Sequence, residues 1–125
     1  MTRRLAGKRV LIVEDEQLFA DYLADAMAAE GAEVIEPVAS VNAALDVITN
    51  TLLDGVTLDL KLKGETILPV ADILAARNIP FIFLTGYGAA DVPARHANVT
   101  RVEKPVAPSM VCPALEAAMS TARKE

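Results

Sequence analysis

Tryptophan is absent from this chain, cysteine occurs once, and phenylalanine and tyrosine together supply five of 125 residues. A core made from it must be aliphatic. The single cysteine, Cys112, excludes an internal disulfide and fits a reducing, cytoplasmic setting. Positive charge is also scarce: 12 Lys and Arg stand against 17 Asp and Glu, a formal net charge of −5. Nucleic-acid backbones demand basic surfaces, so direct binding to nucleic acid is not expected. Long apolar runs are missing too. After Arg3, Arg4, Lys8 and Arg9, the run Val10-Leu11-Ile12-Val13 meets Glu14, Asp15 and Glu16. A membrane span needs about 20 apolar residues and an export signal about 7 to 15. Neither is expected, and the basic start reads as a solvated tail. Linkers, repeats and low-complexity tracts are absent as well, so the expectation is one domain over residues 1–125, with its core in 8–124 and no output domain.

What remains is a globular composition, 53% hydrophobic and 23% charged, in which two periodicities alternate. Arg9–Val13 reads as a strand buried on both faces. Gln17–Glu30 carries Leu18, Phe19, Tyr22, Leu23, Ala26 and Met27 at helical spacing, with Gly31 as its stop. Phe19 and Tyr22 are expected in the core, although the apolar stripe is wide enough for one edge to face a partner. Glu33–Val38 reads as a second strand, and Ser40 caps a helix over Val41–Asn50 that turns Ala44, Leu45 and Ile48 inward. Gly55–Leu60 is a third strand. Thr66–Arg77 is a third helix, with Pro69 tolerable in its first turn. Pro80–Thr85 and Thr100–Glu103 are the fourth and fifth strands. Ser109–Lys124 is the last helix, in which Leu115, Ala118 and Met119 share a face and Pro113 is awkward enough to move the start. Strand–helix alternation predicts a parallel sheet covered on both sides, with right-handed crossovers.

In such a sheet, ligands bind outside the carboxyl ends of the strands. Those ends carry the chemistry here: Glu14 and Asp15 after the first strand, Asp59 in the third, Thr85 in the fourth and Lys104 after the fifth. Carboxylates brought together repel and raise their own pKa values unless a cation joins them. Mg²⁺ suits them, since it takes one or two carboxylates together with phosphate oxygens. Asp59 can then act as a carboxylate nucleophile toward phosphorus. Lys104 supplies a point charge and Thr85 a hydroxyl donor for phosphoryl oxygens. Lys104-Pro105 presents the lysine best with a cis peptide bond, which proline permits cheaply.

Val-Glu-Asp-Glu at 13–16, Asp54 five residues before Asp59, Leu-Thr-Gly at 84–86 and Val-Glu-Lys-Pro at 102–105 resemble the receiver domains of two-component response regulators. The resemblance runs over nearly the whole chain. It implies an α/β, flavodoxin-like, doubly wound five-stranded parallel sheet in the order 2-1-3-4-5. It also implies Mg²⁺-dependent phosphoryl transfer to Asp59 from the phospho-histidine of a histidine kinase or histidine phosphotransfer protein, the metal held by Glu14, Asp15, Asp59 and the backbone carbonyl of Lys61. Output then passes to a downstream protein target, or the chain serves as a phosphate sink or relay carrier. The only reaction expected of it is its own phosphorylation and dephosphorylation. Phe83-Leu84-Thr85-Gly86-Tyr87 resembles a narrower, largely alphaproteobacterial group with a Phe-x-Thr-Gly motif.

Four features depart from the common pattern. Glu14 stands where Asp is more frequent. Lys61 sits two residues after Asp59. Arg101 takes a position, three before Lys104, that is usually aromatic. Thr85 and Lys104 are only nineteen residues apart, with Pro93 between them, so the fourth helix should be short or irregular. Lys61 and Tyr87 are placed to shield the phosphoryl group from water. Thr85, Tyr87 and Arg101 form the expected switch: a charged Arg101 cannot follow Thr85 inward, which leaves segment 86–98, with few apolar anchors, to change order. Blander readings are an acidic loop capping the first helix for Glu14 and Asp15, a turn residue for Asp59, a solvated side chain for Lys61, an exposed His96 and a small helix residue for Cys112. Among enzymes, an aspartate-nucleophile phosphohydrolase of the dehalogenase type wants a second Asp where Lys61 stands. A flavin carrier would meet repulsion between its phosphate and Glu14-Asp15-Glu16.

Overall fold

The computed structural model describes residues 3–86 and 92–123. Five strands form one parallel sheet: β1 (Arg9–Val13), β2 (Glu33–Val34), β3 (Gly55–Asp59), β6 (Phe81–Thr85) and β7 (Arg101–Glu103), in the spatial order β2-β1-β3-β6-β7. Counting only these strands, the order is the expected 2-1-3-4-5. Helices α1 (Gln17–Ala29) and α4 (Pro108–Arg123) cover one face, and α2 (Val41–Asn50) and α3 (Leu68–Ala76) the other.

The alternation of side chains along each strand divides the core in two. Leu11, Val13, Val56, Leu58, Phe81 and Phe83 pack with Ala44, Ile48, Val70 and Leu74. Val10, Ile12, Ile82 and Leu84 pack with Leu23, Met27, Val111 and Leu115. Ser40 caps α2 as expected, its Oγ accepting from Ala43 N–H at 3.1 Å. At the end of α1 the backbone closes through Gly31 N–H to Ala28 O and Ala32 N–H to Met27 O, with Gly31 at φ +94°, an arrangement that glycine permits at no steric cost.

Several expected boundaries move. The second strand was expected to run to Val38, but its ladder stops at Val34. Ile35 N–H still reaches Val10 O and Val38 N–H reaches Ile12 O, whereas Pro37 between them has no N–H to give. The third helix begins at Leu68, not Thr66, because Glu65–Thr66 (β5) pairs antiparallel with Lys61–Leu62 (β4). Gly64 turns between them at φ +69°. Pro113 does not move the start of α4, which begins at Pro108 and carries the proline inside. Leu18 and Tyr22 are 62% and 54% exposed: Ala20, Leu23 and Met27 take the buried line of α1 and leave these two on its outward side. The basic start is only partly a free tail, because Leu5 is fully buried and Arg4 pairs with Glu116 at 3.1 Å. Cys112 is buried on α4, as a small helix residue would be.

His96 is not exposed. It lies in a single turn of 3-10 helix, Ala94–His96, the only helical structure described between β6 and β7, and it is 3% exposed. Its Nε2 meets Asp72 of α3 at 2.7 Å. Arg95 grips the same carboxylate. Val92 and Val99 pack on the core nearby, so this stretch has more anchors than its composition suggests. The hydrogen bond from Arg95, then that from His96, holds the Asp72 carboxyl down to about 2. A depressed carboxyl contributes stability that is complete above its ordinary value near 3.8 and is lost as pH falls through its folded value. Wild-type protein is therefore expected to lose thermal stability more steeply from pH 4 to pH 2 than Asp72→Asn, by a small margin because the pair faces water; parallel melting curves over that range would show the carboxyl contributes nothing.

One buried group has no partner among the described residues. Thr57, at the centre of β3, is fully buried, and its Oγ1 makes no hydrogen bond. Valine has the same shape without the hydroxyl. Thr57→Val is expected to stabilise the protein by about 1 kcal/mol, read from the urea midpoint at constant m-value; a destabilised variant would mean the hydroxyl has found a partner.

Candidate functional site

The carboxyl ends of β1, β3, β6 and β7 bring the expected residues together. Glu14 follows β1, and its side chain is fully buried. Asp59 ends β3 and is 5% exposed; Thr85 ends β6 and is 4% exposed. In the β3–β6 register Asp59 lies opposite Leu84, so the threonine stands at the neighbouring strand end. Lys104 leaves β7 with its backbone N–H donating to Thr85 O at 2.7 Å, and the Lys104–Pro105 peptide bond is cis. The lysine Nζ donates to Glu14 Oε1 at 2.7 Å and to Asp59 Oδ2 at 3.3 Å, while its charge lies 4.7 Å from the centre of the Phe19 ring.

Glu14, Asp15 and Asp59 each offer a carboxylate oxygen within 4.8 Å of the others. Burial, then the Asp59 carboxylate beside it, pushes the Glu14 carboxyl up to about 7, against the pull of Lys104. Burial works against the Lys104 ammonium, yet Glu14 and Asp59 together hold it above its ordinary value. The donor set is all oxygen and carries excess negative charge even with Lys104 present, which fits a hard divalent cation such as Mg²⁺.

Three contacts beside the site were legible in the sequence only in part or not at all. Glu16 Oε1 stands 3.6 Å from Lys104 Nζ; its place in the acidic run 14–16 is the signal. The backbone of the β4–β5 hairpin gave none: Lys61 N–H on β4 donates to Asp59 Oδ1 at 2.9 Å, and Lys63 N–H in the turn after it to Asp15 Oδ2 at 2.8 Å. The hairpin thus orients two of the three carboxylates. The Lys61 side chain is exposed, as is Arg101 on β7. Tyr87 lies outside the described residues. Asp54 is at the opposite end of the sheet, its Oδ2 accepting from Arg9 N–H at 2.8 Å, so its part is to tie β1 to the start of β3.

Beside Lys104 a groove of about 450 Å³ is lined by Leu18, Phe19, Tyr22, Pro105 and Val106. No helix among the described residues is long and apolar enough to cross a membrane.

Comparison with known proteins agrees with this geometry. Residues 10–116 match the family model of the response regulator receiver domain. SdrG from Sphingomonas melonis Fr1, known from a solution structure, is 36% identical with a TM-score of 0.79, the match covering 94% of this chain and 98% of that one. The PhyR stress response regulator is 26% identical with a TM-score of 0.77, over 98% of this chain and 49% of that one. The transcriptional regulatory protein PdtaR of Mycobacterium tuberculosis is 29% identical over 121 residues, 94% of this chain and 59% of that protein. This chain therefore spans less than two thirds of that curated relative's length. With the family match running through every strand of the sheet and all five strand-end residues, the chain belongs to the receiver domains of bacterial two-component response regulators.

Proposed function

We propose that this receiver accepts one phosphoryl group on Asp59 from the phospho-histidine of a kinase or phosphotransfer protein, with Mg²⁺, and signals through protein contacts. The observation that carries the reading is the convergence of Glu14, Asp15, Asp59 and Lys104 at one sheet edge. Glu14, Asp15, Asp59 and the Lys61 carbonyl would hold the cation, which supplies positive charge for the carboxylates and the phosphoryl oxygens together. Asp59 attacks phosphorus through a carboxylate oxygen. The new O–P bond forms as the P–N bond to the donor imidazole breaks, and the imidazole leaves with the electron pair. Lys61 N–H on Oδ1 fixes the rotation of the carboxylate. Lys104 can exchange its bond to Asp59 for one to a phosphoryl oxygen, and the Thr85 hydroxyl can donate to another. These residues position and neutralise, which is most of what phosphoryl transfer asks of a protein.

The groove lined by Leu18, Phe19, Tyr22 and Val106 adjoins Lys104, so a histidine-bearing donor seated there would reach Asp59. The exposure of Leu18 and Tyr22 is what such docking needs. The same chemistry serves a direct effector, a phosphate sink or a relay carrier. Incubation with Mg²⁺ and a small acyl phosphate, followed by intact-mass measurement, is expected to show one phosphoryl group per chain. No gain, or a gain indifferent to chelation of Mg²⁺, would overturn the proposal.

A further inference from the structure

Away from the carboxylate site, one charged cluster joins two elements that the chain keeps apart. Asp72 lies on α3, while Arg95 and His96 lie on the turn between β6 and β7. Arg95 approaches the carboxylate as a fork, Nε to Oδ1 at 2.8 Å and Nη2 to Oδ2 at 3.1 Å. His96 adds Nε2 at 2.7 Å from Oδ1. A carboxylate only accepts, so the ring nitrogen facing it carries the proton.

Behind this clasp, the His96 ring meets Phe81 and Phe83 edge-on, with centroids at 5.9 and 6.2 Å. Phe81, Phe83 and Thr85 alternate along β6, so their side chains stand in one row on one face of the sheet. His96 is packed against that row two residues below Thr85. The turn is tied to the strands as well: Val99 N–H donates to His96 O at 3.1 Å, and Phe83 N–H to Thr100 O at 2.9 Å. The two parts of the clasp differ in firmness. The Asp72–Arg95 pair is about half exposed, where ion pairs are weak and open readily. His96 sits in a packed aromatic row, which changes by discrete repacking rather than by gradual deformation.

We propose that the Asp72–Arg95–His96 clasp is the device that couples the Thr85 end of β6 to the outer surface of α3. A phosphoryl group on Asp59 engages Thr85, the row behind it repacks, His96 shifts against Phe83, and the hold of Asp72 on turn 94–99 changes. The signal then emerges on the surface shared by α3 and that turn. Asp72 and His96 touch no reacting atom and are positioning residues. The proposal rests on Asp59 being the phosphoacceptor and adds the route by which its state leaves the site.

His96 is the only histidine in the chain, so its imidazole gives one set of magnetic-resonance signals. Beryllofluoride with Mg²⁺ serves as the phosphoryl probe, and its own fluorine signal reports binding. In wild-type protein the bound probe is expected to shift the His96 ring signals and to change amide exchange over residues 94–99 about tenfold or more. In Asp72→Ala, exchange at 94–99 should be faster by a similar factor before the probe is added, and should no longer respond to it. Asp72→Asn keeps an acceptor for the ring but loses the charge that holds Arg95, so it should fall between the two. A bound-fluoride signal with unmoved His96 and unchanged 94–99 overturns the clasp alone, as does an Asp72→Ala variant that responds like wild type. No bound-fluoride signal in wild type overturns the phosphoacceptor reading and the clasp with it.

Discussion

Asp59→Asn is expected to abolish phosphoryl uptake from a small acyl phosphate in Mg²⁺, while Asp59-containing protein gains one group per chain. The substitution barely changes shape, since an asparagine oxygen can still accept the Lys61 N–H now given to Oδ1. What it removes is chemical. An amide oxygen is a poor nucleophile, the negative charge that attracts a cation is reduced by one, and Lys104 loses one of its two closest anionic partners. The effect on uptake is therefore all-or-none rather than graded. Thr85→Ala offers the contrast: it removes one hydroxyl donor to the phosphoryl group and leaves the nucleophile, so it should slow uptake by about tenfold to a hundredfold without eliminating it. Time-resolved intact-mass spectrometry reads both. A stable phosphoryl group on Asp59→Asn under the same conditions would place the acceptor elsewhere.

Gly31→Ala is expected to destabilise the fold by about 2 to 4 kcal/mol, through backbone strain and overpacking together. Gly31 closes α1 at φ +94°, where an L side chain is strained. A Cβ there would also lie 2.9 Å from Ala6 Cα and 3.2 Å from Ala6 N. Ala6 cannot simply withdraw. Leu5 beside it is fully buried, its N–H donates to Glu30 O at 2.9 Å, and Gly7 N–H donates to Gly31 O at 3.2 Å. Relieving the clash means pulling Leu5 from the core, itself worth about 2 kcal/mol. Gly7 provides the control: it also has positive φ, at +74°, but a Cβ there meets nothing within 4 Å. Gly7→Ala should cost only the conformational part, about 1 kcal/mol. Urea denaturation of the two variants separates backbone strain from collision, and equal losses would show that the contact with Ala6 yields.

The sheet was legible in the sequence because its signals are local. Val10–Val13 and Phe81–Leu84 are short continuous apolar runs, rich in β-branched or aromatic residues and with turn or charge signals at their ends, a combination that favours a strand buried on both faces over a helix. The site was legible for a related reason. A parallel sheet sends every strand's carboxyl end to the same edge, so Glu14, Asp15, Asp59, Thr85 and Lys104 had to meet once the strands were placed, and the structure brings them together. Ser40 and Gly31 mark helix ends through their own backbone chemistry, and both do so here.

What only the tertiary structure decided depends on neighbours that no local pattern names. Leu18 and Tyr22 match helical periodicity as well as Leu23 and Met27 do, yet the sheet takes one line of α1 and leaves the other for solvent. Glu65–Thr66 reads as the start of a helix until it pairs with Lys61–Leu62 and fastens the backbone there to Asp59 and Asp15. His96 sits among polar residues in the sequence and is buried because Asp72, 24 residues earlier, supplies the acceptor that a buried imidazole requires. Sequence by itself determined the chemistry at the strand ends, because topology alone assembles it. Side-chain direction, the β4–β5 hairpin and the Asp72–His96 clasp were decided by packing, because each is a choice among locally equivalent alternatives that only a distant partner resolves.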